Sequence, residues 1–144
     1  MHSTRERILF IDEHEDTREV MTALLSRRGC EVVAASSLIT ALLISRGQTF
    51  HLYVLDAQFW GDTGTELCRS IREFDPLTPI IVFSNRAEEA ARREAFEAGA
   101  TDYLIKPDAD GLTKAAGQCI RHCDGRPLFE PPVISASTRL GVVA

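Results

Sequence analysis

The segment LYVLD at residues 52–56 consists of four apolar residues closed by an acid. An uninterrupted apolar run of this length is typical of a strand that is buried on both faces of a parallel sheet. Two runs of the same kind, residues 8–11 and 80–83, are followed at once by Asp12 and Ser84. This repeated pattern indicates several buried strands that each end at a polar side chain.

Segments with helical spacing separate these runs. Apolar residues three and four positions apart predict one helix after each strand, and glycines end several of these helices. Asp16, followed by Glu19, predicts the N-terminal cap of the first helix, and Ser36 or Ser37 predicts that of the second. The predicted elements are strands at 8–11, 31–35, 52–55, 80–83 and 102–105, and helices after 16, after 37, at 65–74, at 88–98 and at about 110–122.

The strand–helix alternation occurs five times and predicts an α/β fold. Right-handed crossovers place the connecting helices on both faces of a parallel sheet. We therefore expect a doubly wound, five-stranded parallel sheet in three layers. The pattern stops at Asp124, and three prolines punctuate the rest. Residues 1–123 are thus predicted to form the domain, and residues 124–144 an irregular tail without an output domain.

The composition excludes several classes of protein. The chain has 144 residues, which suits one domain, and sixteen Lys and Arg against 21 Asp and Glu give a net charge of −5. Because an acidic domain repels the nucleic-acid backbone, direct nucleic-acid binding is not expected. No apolar run reaches the roughly 18 residues that span a bilayer, and no secretion signal precedes the first strand. The four cysteines are expected to be reduced thiols of a cytoplasmic protein.

Polar side chains follow four of the predicted strands. Asp12 and Glu13 follow the first strand, Asp56 the third, Ser84 the fourth and Lys106 the fifth. Because the carboxyl ends of parallel strands lie along one edge, we expect these side chains to converge where open α/β sheets bind ligands. Three clustered carboxylates repel one another, and a divalent cation relieves the repulsion. Hard oxygen ligands of this kind suit Mg²⁺, which accepts a phosphate oxygen as a further ligand.

This edge has the groups that phosphoryl transfer requires. A carboxylate beside a divalent cation and an ammonium group can act as a nucleophile toward phosphorus. Mg²⁺ and Lys106 would offset the charge of the transferring group, and the Ser84 hydroxyl could hydrogen-bond one of its oxygens.

Four segments resemble the receiver domain of two-component response regulators. They are ILFIDE at 8–13, VLDAQFWGDTG at 54–64, PIIVFS at 79–84 and AGATDYLIKP at 98–107, and they occur in the family's order and spacing. The resemblance covers about residues 6–122 and implies a flavodoxin-like (βα)5 fold. It also implies a phosphoprotein of a phosphorelay that is not an enzyme beyond self-catalysed phosphoryl transfer and autodephosphorylation.

The resemblance implies that Asp56 accepts a phosphoryl group from a histidine kinase or a histidine phosphotransfer protein. Lys106 would bind the phosphate, and Ser84 and Tyr103 would be the switch residues. Phosphorylation would move Ser84 toward the phosphate and turn Tyr103 inward. This movement would remodel the face formed by the fourth helix, the fifth strand and the fifth helix, which a downstream protein or a second copy of the chain would read.

The resemblance also implies an Mg²⁺ site formed by Asp12, Glu13, Asp56 and the backbone carbonyl of Gln58. Glu13 departs from the family pattern, because this direct-ligand position usually carries Asp, and its extra methylene could push the cation outward. Trp60, Thr63 and Asn85 also replace residues that are more usual in the family. Pro107 matches a proline that commonly follows a cis peptide bond. His14, next to the acids, is expected to be exposed in the loop.

Two other classes of function agree with parts of the sequence. A pseudo-receiver, which binds proteins without using phosphate, would account for Glu13, Trp60 and Thr63, but the presence of Asp56, Ser84 and Lys106 argues against it. A flavin-binding or haloacid-dehalogenase-type enzyme on a similar sheet ranks last. The acids would repel a flavin phosphate, and the dehalogenase type needs a second Asp at position 14, where this sequence has histidine.

Overall fold

The computed structural model describes residues 5–56, 65–106 and 108–119. Within these residues, five strands and five helices alternate along the chain, as the sequence predicts. The strands are β1 Arg7–Ile11, β2 Glu31–Ala35, β3 Leu52–Leu55, β4 Ile80–Ser84 and β5 Asp102–Ile105. The helices are α1 Glu15–Ser26, α2 Leu38–Gly47, α3 Glu66–Phe74, α4 Glu89–Glu97 and α5 Ala109–Cys119.

The strands form one sheet in the order β2-β1-β3-β4-β5. Every neighbouring pair is parallel, which confirms the predicted doubly wound, flavodoxin-like fold. From β1 the chain crosses to β2 on one side and then returns to β3 on the other, so the strand order reverses between β1 and β3. In open α/β sheets, ligands bind outside the carboxyl ends of the strands at such a point.

The sheet is buried on both faces because apolar side chains point to each face in alternation along the strands. Ile8 and Phe10 of β1 belong to a hydrophobic core that includes residues of α1 and α5. Leu9 and Ile11 belong to a second core that includes residues of α2, α3 and α4. The molecule therefore has three layers, with α1 and α5 on one face of the sheet and the other three helices on the opposite face.

Three of the four cysteines lie among the described residues, and all three are free thiols. Cys30 belongs to the core beneath α1 and α5, and Cys68 to the core beneath α2, α3 and α4. Burial raises the pKa of Cys30 to about 12 and that of Cys68 to about 11. Each of these two cores therefore contains a fully buried thiol that reacts slowly while the fold is intact.

Helix α1 begins earlier than the sequence predicts. Its first residue is Glu15, so Asp16 lies in the first turn and is not the N-cap. The cause lies at the end of β1, where Asp12 Oδ1 accepts a hydrogen bond from the His14 backbone N–H at 2.9 Å. This local turn brings the chain into the helix before Asp16 is reached. By contrast, Ser37 caps α2 as predicted, and its hydroxyl accepts the Thr40 N–H at 3.1 Å.

Among the described residues the helices are short, and the longest, α1, has 12 residues. In the parts of the chain that the structure describes, none of them has both the length and the apolar character that a membrane span needs. The sequence predicts that the last helix reaches residue 122, and α5 is described as far as Cys119. The predicted tail, residues 124–144, lies outside the described residues.

Candidate functional site

The carboxyl ends of β1 and β3 place two buried carboxylates side by side. Ile11 is paired with Leu55, so Asp12 and Asp56 are neighbours at the point where the strand order reverses. The ladder continues through both residues, since the Asp12 N–H donates to Ala35 O at 3.1 Å and the Asp56 N–H to Ile11 O at 3.0 Å. The two acids are only 1% and 2% exposed. Strand pairing thus fixes their backbones on the edge that the sequence predicts.

Lys106 joins the two carboxylates. Its Nζ lies 2.8 Å from Asp12 Oδ2 and 3.2 Å from Asp56 Oδ2, and its side chain is 9% exposed. The strand before it sets this position, because the Lys106 backbone N–H donates to Ser84 O at 2.8 Å. Charged groups this deeply buried are tolerated only when they are paired. The structure therefore brings together three of the predicted site residues, Asp12, Asp56 and Lys106.

The oxygens of this cluster can hold a further cation. Asp12 and Asp56 share the ammonium group of Lys106 in a buried place. Lys106 contacts the Oδ2 atom of each acid, and Asp12 Oδ1 lies on the side away from the lysine contact. Carboxylate oxygens are the ligands that Mg²⁺ prefers. Asp12 and Asp56 therefore fit the divalent cation that the sequence predicts.

His14 belongs to the same cluster, although the sequence predicts only an exposed loop residue. One potential ligand atom from each of Asp12, His14 and Asp56 lies within 4.8 Å of the other two. The imidazole is 60% exposed, yet its Nδ1 is 3.1 Å from Asp12 Oδ1. A signal for this approach exists in the sequence, because the backbone N–H two residues after an Asp often bonds that carboxylate. The turn brings position 14 back toward the acid.

Arg18 also contacts the site, and the sequence pattern does not identify it. Its Nη1 donates to the backbone carbonyl of Asp12 at 2.8 Å, which ties α1 to the end of β1. Nothing in the sequence distinguishes this arginine from a solvent-facing residue of α1. Its contribution is positional, since it holds the main chain from which the Asp12 carboxylate projects.

Other predicted metal ligands are not part of this group. The Glu13 side chain is exposed, and the one group of three potential ligands found among the described residues does not include it. Its role as a ligand stays a prediction. Further predictions fall on residues outside the described ranges, namely Gln58, Trp60, Thr63 and Pro107.

The two predicted switch residues are linked through the backbone of Arg86. Ser84 is fully buried, and its Oγ accepts the Arg86 N–H at 3.0 Å. Tyr103 is 3% exposed, and its hydroxyl donates to the Arg86 carbonyl at 2.6 Å. The inward position that the sequence predicts for Tyr103 on phosphorylation is therefore one that this fold accommodates. Sequence reasoning could not find the link, because its central group is a main-chain carbonyl.

Comparisons with known proteins agree with this arrangement. The sequence model described as the response regulator receiver domain matches residues 8–116. The transcriptional regulatory protein ResD of Bacillus subtilis (strain 168) is 35% identical over 108 residues, which are 74% of this chain and 45% of ResD. The chain spans less than half the length of the curated relatives it matches.

Solved structures show the same likeness. A response regulator from Thermotoga maritima superposes with a TM-score of 0.75 at 27% identity, covering 83% of this chain and 100% of that one. A response regulator protein from Burkholderia pseudomallei has a TM-score of 0.71 at 27% identity, covering 76% of this chain and 65% of that one. Its structure was solved with a phosphorylated aspartic acid, a calcium ion and citrate.

Proposed function

The chain belongs to the response regulator receiver domain family, and on this premise we propose that Asp56 accepts a phosphoryl group that shifts the chain between two conformations. Receiver domains are signalling switches of two-component systems, not classical enzymes. The observation that carries the proposal is the buried contact of Lys106 with both Asp56 and Asp12. The Burkholderia pseudomallei relative with a phosphorylated aspartic acid supports it.

The proposed donor is the phosphohistidine of a histidine kinase or of a phosphotransfer protein. A carboxylate oxygen of Asp56 forms a bond to phosphorus while the P–N bond of the donor breaks, and the imidazole nitrogen keeps the electron pair. The product is an acyl phosphate on Asp56. The Lys106 ammonium group, 3.2 Å from Asp56 Oδ2, stabilises the charge that arrives.

Asp12 and Asp56 would hold the Mg²⁺ of this site, with Glu13 and the Gln58 carbonyl as the further ligands that the family pattern adds. The ion supplies positive charge for the phosphoryl oxygens. Asp12 has a second task, because its Oδ2 keeps the Lys106 ammonium group 2.8 Å away and thereby holds the lysine beside Asp56.

The switch would follow a continuous series of contacts from Asp56 to Tyr103. Asp56 contacts the Lys106 ammonium, the Lys106 N–H bonds Ser84 O, the Ser84 Oγ accepts the Arg86 N–H, and the Arg86 carbonyl accepts the Tyr103 hydroxyl. The bond from Arg86 uses an acceptor site of the Ser84 hydroxyl and leaves its hydrogen for a phosphoryl oxygen. A phosphoryl group that draws this hydroxyl changes the Arg86 segment against which Tyr103 is fixed.

Phosphorylation would change the populations of two conformations. A partner would distinguish these conformations by binding the face formed by α4, β5 and α5. We propose a downstream protein as the reader, and a homodimer through the same face as an alternative reader. We also propose that residues 1–123 form the receiver domain and that it acts in the cytoplasm.

Intact mass spectrometry after incubation with Mg²⁺ and a small phosphodonor tests the proposal. The wild-type chain is expected to gain one phosphoryl group, and Asp56→Asn to gain none, because the amide is nearly isosteric but not nucleophilic. Asp75→Asn, at the other end of the sheet, is the matched control and should be labelled like the wild type. Undiminished labelling of Asp56→Asn would show that another residue accepts the phosphoryl group. A wild type that is never labelled would favour the pseudo-receiver, a protein-binding module.

A further inference from the structure

We propose that His14 is a direct metal ligand of this site and that it shifts the site's preference from Mg²⁺ toward divalent ions that accept nitrogen, such as Mn²⁺ and Co²⁺. The proposal rests on the proposed function only in assuming that the site binds a metal. The family pattern does not include His14 as a metal ligand. Its imidazole nitrogen also indicates which class of ion the site prefers, namely divalent transition ions.

The first step is the spacing between the two ligand atoms. Two ligands that each lie about 2.1 Å from one ion, at about 90° to one another, are about 3.0 Å apart. His14 Nδ1 and Asp12 Oδ1 are 3.1 Å apart, which is close to one edge of an octahedral site. A carboxylate oxygen of Asp56 completes a group whose three atoms lie within 4.8 Å of one another.

The second step is the arrangement of Lys106 and His14 around Asp12. Lys106 bonds Asp12 Oδ2, whereas His14 faces Oδ1. An ion bound between His14 and Oδ1 therefore does not need to displace the ammonium group from Oδ2. The His14 backbone is held by its own N–H bond to Oδ1 at 2.9 Å, so the side chain projects from a fixed point of the main chain. Because the ring is 60% exposed, an ion from solvent can reach it.

The third step is the chemistry of the ligand set. Mg²⁺ is bound mainly by oxygen, whereas imidazole suits divalent transition ions, whose affinity for mixed nitrogen and oxygen sites rises along the series from Mn²⁺. Glu13, at the position where the family pattern expects a second acid, has an exposed side chain and is outside the group of three. In this chain His14 therefore offers a ligand atom within the group of three, and that atom is nitrogen instead of oxygen.

Pulsed electron paramagnetic resonance of bound Mn²⁺ tests the inference directly, because it detects the nuclear coupling of a coordinated imidazole nitrogen. The wild type is expected to show this coupling and His14→Gln to lack it. His51→Gln is the matched control, since His51 Nδ1 accepts the Arg7 N–H at 3.0 Å at the start of β3, away from the site. Calorimetry on the same chains should show the Kd for Mn²⁺ rising in His14→Gln by at least the roughly tenfold that loss of a residue behind a metal ligand costs, because His14 is proposed to touch the ion itself. The Kd for Mg²⁺ should change much less.

The other outcomes overturn the inference. A wild type without nitrogen coupling would leave His14 as a residue that only positions Asp12, and in that case His14→Gln would weaken Mg²⁺ and Mn²⁺ equally. If Glu13→Gln weakens both ions while His14→Gln weakens neither, Glu13 is the ligand. Labelling of Asp56 separates the two proposals. Normal labelling without nitrogen coupling overturns the inference alone, and nitrogen coupling without any labelling overturns the proposed function alone.

Discussion

The two ends of the sheet both carry charged side chains, but these groups bond to different partners. At the amino end, the Arg72 guanidinium donates to the carbonyl oxygens of Gly99, Asp75 and Thr78 at 3.0, 3.0 and 2.7 Å. Asp75 in turn accepts the Thr78 N–H at 3.1 Å and the Tyr53 hydroxyl at 3.0 Å. These groups mainly hold main-chain atoms, and they therefore fix the loops between the elements.

At the carboxyl end, charged side chains bond to one another. Lys106 contacts Asp12 and Asp56, and all three side chains are at least nine-tenths buried. A charge that is bonded to a loop cannot be exchanged without moving the loop, whereas charges bonded to each other can be re-paired when a new charge arrives. The charged groups of the amino end therefore stabilise the fold, whereas those of the carboxyl end can change partners when a charged ligand binds.

The largest expected effect is that of removing the shared cation. Lys106→Ala removes the ammonium group that two buried carboxylates share and should lower the free energy of unfolding by about 3–5 kcal/mol. Glu31→Gln removes the Arg7–Glu31 ion pair at the amino end, 3.4 Å long and half-exposed, and should cost less than about 1 kcal/mol. Urea denaturation without divalent ions measures both.

Added Mg²⁺ should restore part of the stability of Lys106→Ala, because the ion replaces the lost positive charge. Mg²⁺ should also bind this variant at least as tightly as it binds the wild type, because the ammonium group that repels the ion is gone. Equal losses in the two variants would show that the carboxyl-end cluster is no more strongly coupled than a surface pair.

Two buried tyrosines give a closer comparison of the two ends. Tyr53→Phe removes a hydrogen bond to the Asp75 carboxylate and should cost about 1.5–3 kcal/mol, whereas Tyr103→Phe removes a bond to the Arg86 carbonyl and should cost about 0.5–1.5 kcal/mol. Amide chemical shifts can measure the response of each variant to a beryllofluoride phosphate mimic. For this response we expect the larger effect from Tyr103→Phe. Tyr103→Phe should alter the response and Tyr53→Phe should leave it intact. An unchanged response in Tyr103→Phe would remove the hydroxyl from the proposed switch.

The smallest expected effect is a pH dependence at the amino end. Burial alone would raise the pKa of Asp75, but hydrogen bonds from Thr78, Tyr53 and Leu77 outweigh burial and lower it. The folded chain therefore binds this proton less tightly than the unfolded chain. The stability that Asp75 contributes is complete above the unfolded carboxyl pKa of about 4 and is lost as the pH falls through the lower folded value.

Asp75→Asn should therefore lose less stability than the wild type between about pH 6 and about pH 3, as urea midpoints would show. The control is Glu73→Gln, an exposed position in α3 two residues before Asp75, which should keep the wild-type dependence. Identical slopes for Asp75→Asn and the wild type would mean that the three hydrogen bonds do not distinguish the folded from the unfolded chain.

The fold was predictable because its signals are local. The run LYVLD and its counterparts specify buried strands, and the polar residues that close them identify the edge that carries the site. The first-helix cap, the approach of His14 to Asp12 and the link through Arg86 do not follow from hydrophobic periodicity. These features depend on hydrogen bonds of main-chain atoms, such as the His14 N–H to Asp12 Oδ1, whose geometry is set by turns and not by periodicity.

Cys30 and Cys68 can report when the helices on each face of the sheet move away from it. They lie in the cores on opposite faces of the sheet, and both thiols are out of reach of solvent. A thiol reagent can modify each of them only after the helices that cover it have moved away. Equal modification rates would mean that both faces open in one cooperative event. A faster rate at one thiol would identify the face that detaches first, with no probe added to the chain.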